Sequence, residues 1–137
     1  MEFRLKNDLA EIQLLAEAVE VFGEENGLPP KVVFQVNLAL EELLTNTINY
    51  GYPQGGENEL TVKLELKNGK DLIVEIHDDA FPFNPLEIEP PDTGQDIEAR
   101  SIGGLGIHLV RQMMDEIEYC WENDHNVLVM RKHIKLA

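Results

Sequence analysis

The sequence predicts a two-layer α/β (α+β) sandwich, with three helices on one face of a mixed, mainly antiparallel sheet. Three observations predict it. Segments 60–67 and 72–77 alternate apolar and polar residues on either side of Asn68-Gly69, the pattern of a β-hairpin. That hairpin has one apolar and one largely polar face, so it needs cover on one side only. Two helical patterns precede it and one follows it, giving the order β-α-α-β-β-loop-α-β-β, and helices segregated to one sheet face are the economical packing of that order.

The elements follow in turn. Glu2–Lys6 alternates, with Phe3 and Leu5 on one side, and reads as a short strand. Asp8 opens a helix, with Glu11 three residues on as a capping-box-like pair. Leu9, Ile12, Leu15, Ala16, Val19 and Phe22 mark its buried face, Gly23 and Gly27 end it, and Pro29-Pro30 punctuates the break. A second helix, from about Lys31 to Tyr50, is apolar on most sides and is therefore central. Gly51, Pro53, Gly55 and Gly56 make the loop after it. Leu60, Val62, Leu64 and Leu66, then Leu72, Val74 and Ile76, are the apolar positions of the hairpin, with Asn68-Gly69 as a two-residue type I′ turn. Residues 83–102 carry few regular signals, and so long an irregular stretch points to a functional or mobile loop. A third helix over Leu105–Met114 and strands at Glu116–Trp121 and Val127–Ile134, around the polar turn Glu122–Asn126, complete the chain.

The 137 residues are the size of one domain, and 43% are hydrophobic, enough for a core. There are 26 acidic residues against 11 basic ones, a net charge of −15. A nucleic-acid surface is excluded by the lack of a basic face, and an anionic membrane would repel the chain. The sequence shows neither a transmembrane run nor a signal-peptide h-region, so a cytoplasmic protein is expected. The lone Cys120 rules out an internal disulfide or Cys-cluster metal site, and it reads as inert core in an aromatic strand next to Trp121. The four histidines lack zinc-site spacing.

Three places put polar residues or glycines where packing alone would not. Glu42 and Asn46 share one face of the second helix and Asn49 continues it, with Gln35 and Ala39 extending it backwards. This stripe reads either as a solvated edge or as oxygen ligands aimed into a pocket, a set that suits Mg²⁺. Asp78 follows Leu72, Val74 and Ile76 by twos, so its carboxylate leaves the apolar face of the strand. It caps a turn there or serves a ligand. Gly103-Gly104-Leu105-Gly106 opens the third helix, as a hinge or as an anion site made of free N–H groups. The Walker and Rossmann glycine motifs do not fit it, because Gly-Ile-His follows and position 109 is Leu109.

In this order, Glu42-x-x-x-Asn46, Asp78 and Gly103–Gly106 resemble the N-box, aspartate box and glycine box of the GHKL (Bergerat-fold) ATPases. Residues Glu42 to Tyr52, Asp78-Asp-Ala-Phe-Pro-Phe83 and Gly103–Gly106 leading into Met113–Glu116 resemble more closely the anti-sigma-factor serine/threonine kinases of bacterial partner-switching systems. The resemblance covers nearly the whole chain as a single domain, 1–137. It implies ATP and Mg²⁺ as cofactors, with Asn46 the metal ligand and Glu42 the general base on a serine or threonine hydroxyl, or on water. Asp78 would accept from the adenine amino group, and Gly104 and Gly106 would face the phosphates. Residues 84–102 would form the ATP lid, with Arg100 a phosphate contact. Asn49, Ala80, Pro82, Gly103 and Leu105 lie in the same boxes and are carried along as nucleotide-binding positions. Two positions depart from the pattern: Ala80 and Pro82 stand where glycines are usual. The implied function is phosphorylation of a small anti-anti-sigma-type antagonist, together with sequestration of a sigma factor or similar regulator, in a chain whose relatives suggest a homodimer. The alternative is a nucleotide-dependent binding switch of the same fold without kinase activity.

Overall fold

The structure is a computed structural model that describes residues 1–52, 56–87 and 104–135. Its elements are β1 (Glu2–Lys6), α1 (Ala10–Glu25), α2 (Pro30–Tyr50), β2 (Glu59–Lys67), β3 (Asp71–Asp78), a 3₁₀ turn at Pro85–Glu87, α3 (Gly104–Met113), β4 (Glu116–Glu122) and β5 (His125–His133). The five strands form one sheet in the order β1-β2-β3-β5-β4. All four described pairings are antiparallel, where the sequence left room for a mixed sheet.

The N-terminus of α1 is tied down by a variant of the expected capping pair. Asp8 Oδ1 accepts from the Ala10 N–H at 3.0 Å. The Glu11 carboxylate reaches past Asp8 to the Lys6 N–H at 3.1 Å, linking the helix to the end of β1. The helix also runs through Gly23 to Glu25 instead of ending there, because Gly23 is a buried face position against Val33 of α2 and not a cap. Gly27, with φ +66°, makes the break. Pro30 opens α2 at a position where a missing N–H costs nothing.

The central hairpin differs from expectation by one residue, for a reason of parity. Cross-strand partners in an antiparallel pair share a face, and the apolar positions of both strands carry even numbers. A two-residue connection would pair even with odd and set apolar against polar. The observed register pairs Leu66 with Leu72 and Lys67 with Asp71. Asn68 and Gly69 still form the I′ turn, with φ 54° and 66° and the Lys70 N–H donating to the Lys67 carbonyl at 3.0 Å. Lys70 is the extra residue that restores the faces. The β4–β5 connection is the strict two-residue turn: Glu122 pairs with His125 across Asn123 and Asp124, at φ 51° and 62°.

One continuous core joins one face of the sheet to the helices. Leu5, Leu60, Val62, Leu72, Val74 and Met130 lie under Leu15, Val19, Val36, Leu40, Leu44 and Val110, all buried. Cys120 is exposed, not core, since it sits on the edge strand β4 opposite Val127, on the face turned from the helices. Trp121 is also 42% exposed, at the end of that strand. No described helix is long and apolar enough to cross a membrane.

Candidate functional site

Where the core ends, at the C-terminal end of β3, a cavity of about 300 Å³ opens between α2, the segment leaving β3, α3 and the sheet. Its walls are mostly apolar, from Leu43, Ile76, Ile107 and Leu128, and its polar groups include Asn46, Asp78 and Asn126. Alternation along β3 puts Asp78 on the face of Val74 and Ile76, which is why a carboxylate lies at the end of a hydrophobic stripe. It is 5% exposed. Its Oδ1 accepts from Asn126 Nδ2 at 2.9 Å and from the Ala80 N–H at 3.1 Å. Among the described residues no bond reaches Oδ2. Burial pushes the Asp78 carboxyl above the usual aspartate range, while the two donors to Oδ1 pull against that rise.

The segment after β3 is clamped from two sides. On the α2 side the Phe81 N–H donates to the Gly51 carbonyl at 2.9 Å. A Cβ on Gly51 would lie 2.6 Å from the Thr47 carbonyl oxygen and 2.8 Å from Ala80 Cβ, so only glycine admits this approach. Tyr52 adds a bond from its hydroxyl to Asp79 Oδ1 at 3.1 Å. Burial, helped by Asp78 and Asp79, holds the Tyr52 phenol far above its usual pKa, so it stays a donor. On the sheet side Asn126 bonds the same segment at Ala80, Phe81 and Phe83. Phe81, Phe83 and Tyr50 line the cavity while remaining 69%, 52% and 59% exposed, which makes an aromatic mouth. Beyond it Arg111 of α3 donates to the Leu86 carbonyl.

Glu42 lies one turn before Asn46 on α2, at the seam with α3. A Cβ on Gly106 would collide with its carboxylate. The glycine therefore admits an acidic side chain against the first turns of α3, where backbone N–H groups lack helical partners.

The structure thus brings Asn46, Asp78 and Ala80 to one cavity and sets Glu42 and Gly106 together beside it. Gly104 and Leu105 form the first turn of α3. Asn49 is exposed at the last turn of α2 and does not line the cavity, because helical spacing fixes a face but not how far along it a ligand reaches. Pro82 is likewise outside the lining, though both neighbours are in it. Of the stripe's backward extension, Ala39 is fully buried core. Arg100, Gly103 and residues 88–102 of the expected lid lie outside the described residues. Sequence reasoning missed Asn126, Tyr119, Thr47 and the aromatic mouth. Asn126 carries one readable signal, a polar residue in register with Leu128 and Met130, but its place at the end of the polar segment 122–126 masks it.

A family model described as the histidine kinase-like ATPase domain matches residues 5–132. The chain belongs to this family. Membership in this histidine kinase-like ATPase family assigns ATP to the chain. Among its relatives, the serine-protein kinase RsbW of Listeria monocytogenes is 30% identical over 112 residues, covering 79% of this chain and 70% of the relative. The serine-protein kinase RsbW of Halalkalibacterium halodurans is 28% identical over 102 residues, covering 73% and 62%. Among solved structures, the Erythrobacter litoralis blue-light activated histidine kinase superposes with a TM-score of 0.57 at 15% identity, over 91% of this chain and 41% of that one. That likeness concerns the fold, and this chain spans less than half of that kinase.

Proposed function

We propose that this chain is a cytoplasmic, single-domain, Mg-ATP-dependent serine/threonine protein kinase and anti-sigma regulatory factor. It would phosphorylate a small anti-anti-sigma-type antagonist and sequester a sigma factor or similar transcription regulator. The observation that carries the reading is the convergence of Asn46 and the buried Asp78 on one apolar cavity, with Glu42 at the adjoining helix seam. RsbW relatives named as serine-protein kinases favour it over a binding switch without transfer.

The residues present fit the nucleotide. Apolar walls and one deeply set carboxylate suit a flat base carrying an exocyclic amino group, which Asp78 would accept. Among the described residues no group of three His, Cys, Asp or Glu converges on a metal position. Asn46 would be the protein ligand of a cation carried with the phosphates, the manner in which Mg²⁺ is commonly held. Bound Mg-ATP supplies the phosphoryl group, and the metal neutralises charge on it. Glu42 takes the proton from the attacking serine or threonine hydroxyl. The backbone N–H groups of Gly104 and Gly106, at the positive end of α3, would face the phosphates. By the family resemblance Arg100 and Gly103 would add to that contact, Leu105 would belong to the same glycine box, and residues 84–102 would serve as lid.

Transfer of labelled phosphate from ATP to the cognate antagonist tests this directly. Glu42→Gln should cut the transfer rate by about 100-fold or more while ATP affinity stays near wild type. Undiminished transfer by that variant would remove Glu42 as the base.

A further inference from the structure

Asn126 is the cross-strand partner of Asp78 in the β3–β5 pairing, on the same sheet face and 7% exposed. Its side chain is occupied at both ends. The Nδ2 group donates to Asp78 Oδ1 at 2.9 Å and is shared with the carbonyls of Phe81 at 3.1 Å and Ala80 at 3.2 Å. Its Oδ1 accepts from the Phe83 N–H at 3.1 Å and from the Tyr119 hydroxyl. This pattern fixes the amide's orientation, since a flip would set oxygen against three acceptors and N–H₂ against two donors. It also fixes the residue type. A leucine of similar volume has neither group, and an aspartate would face a carboxylate and two carbonyls with no proton to give.

We propose that Asn126 is a positioning residue of the nucleotide site: its amide holds the Asp78 carboxylate and the 80–83 segment in one arrangement, leaving Asp78 Oδ2 for the base. The inference rests on the nucleotide reading given above. One side chain spans the acceptor at the bottom of the cavity and the backbone that carries the aromatic mouth. The positions of Asp78 and Phe83 are therefore set together, and through Tyr119 both are tied to the edge strand β4.

The arrangement has a signature in pH. The Asn126 bond is one of two donors that oppose the effect of burial on Asp78. The other charged groups acting on the carboxylate are Asp79, which raises its pKa, and His125, which lowers it. Asp79 is itself bonded to the Tyr52 hydroxyl, and α2 presents the neutral Asn46 and Thr47 to the same cavity. Without the Asn126 donor the carboxylate protonates at higher pH, and its capacity to accept from an amino group is lost there.

The experiment is calorimetric titration of Mg-ATP across pH on the whole chain, for wild type, Asn126→Leu and Tyr119→Phe, each with a melting curve. Asn126→Leu should bind about tenfold more weakly near neutral pH, with the acid limb of its binding profile moved to higher pH. Tyr119→Phe, which removes only the hydroxyl on the far end of the amide, should fold normally and lose affinity a few-fold, so it decides the matter should Asn126→Leu fail to fold. An unmoved acid limb in Asn126→Leu, or a loss of affinity equal at every pH and matched by the loss in melting temperature, overturns the positioning role while wild-type binding stands. Failure of wild type to bind Mg-ATP overturns the nucleotide reading itself, and the inference with it.

Discussion

Asp78 sets a buried carboxylate where alternation along β3 calls for an apolar side chain. A carboxyl whose pKa is raised by burial contributes most to stability below the ordinary aspartate range, and that contribution fades as pH rises through the shifted value. The ionised form is therefore a burden on the fold, relieved by its two Oδ1 donors and by the nearby His125. Asp78→Asn removes the titration and keeps an oxygen for Asn126 and the Ala80 N–H. It should melt no lower than wild type at about pH 7.5, while Mg-ATP affinity falls about tenfold or more. Melting curves and calorimetry on the same samples check this, and parallel losses would make Asp78 a structural residue. Its position was legible because a charge breaking a period-two apolar run is visible without coordinates. Asn126 was not legible in the same way. Its importance comes from a partner 48 residues away and from backbone groups that no pattern encodes.

Between elements, the glycines and the connection lengths carry the information. The parity of the hairpin was present in the even numbering of Leu60–Leu66 and Leu72–Ile76, yet the strength of the Asn68-Gly69 turn signal concealed it. Local turn chemistry proposed two residues, and the need to keep seven apolar side chains on one face imposed three. The order of helices and strands was legible because burial has a period. The seam between α2 and α3 was not, since nothing in a glycine-rich helix start names the side chain it admits. Gly106 tests that seam. A Cβ there meets the far end of the flexible Glu42 side chain rather than backbone, and alanine gains up to about 1 kcal/mol of helix propensity over glycine. Gly106→Ala should thus leave the melting temperature unchanged or slightly raised and ATP binding largely intact, while phosphoryl transfer drops about tenfold or more as Glu42 is displaced. Stopped transfer with retained binding places the effect at Glu42. Unchanged transfer would show that Glu42 acts, if at all, from another position.

On the scale of the molecule, a net charge of −15 meets a polyanionic ligand. A pocket built on lysines and arginines attracts phosphates at long range, and its affinity falls as salt screens that attraction. Here the expected phosphate contacts are mainly backbone N–H groups at a helix start and a cation, both acting at short range, with Arg100 the one basic side chain, while the surrounding field repels. Under the proposed function, the same field would favour a basic partner, such as a DNA-binding regulator held from DNA. The two contributions separate by ionic strength. Raising NaCl from about 50 to 300 mM shortens the screening length from roughly 14 to 6 Å, which removes the long-range repulsion and leaves the contacts. Mg-ATP affinity should therefore hold or rise over that range, and without Mg²⁺ the weaker binding of free ATP should rise more steeply. Association with a basic protein partner should weaken over the same range. Calorimetry at fixed pH measures all three. A Mg-ATP affinity that fell steeply with salt would mean that basic side chains hold the phosphates, and Arg100 would be the first to substitute.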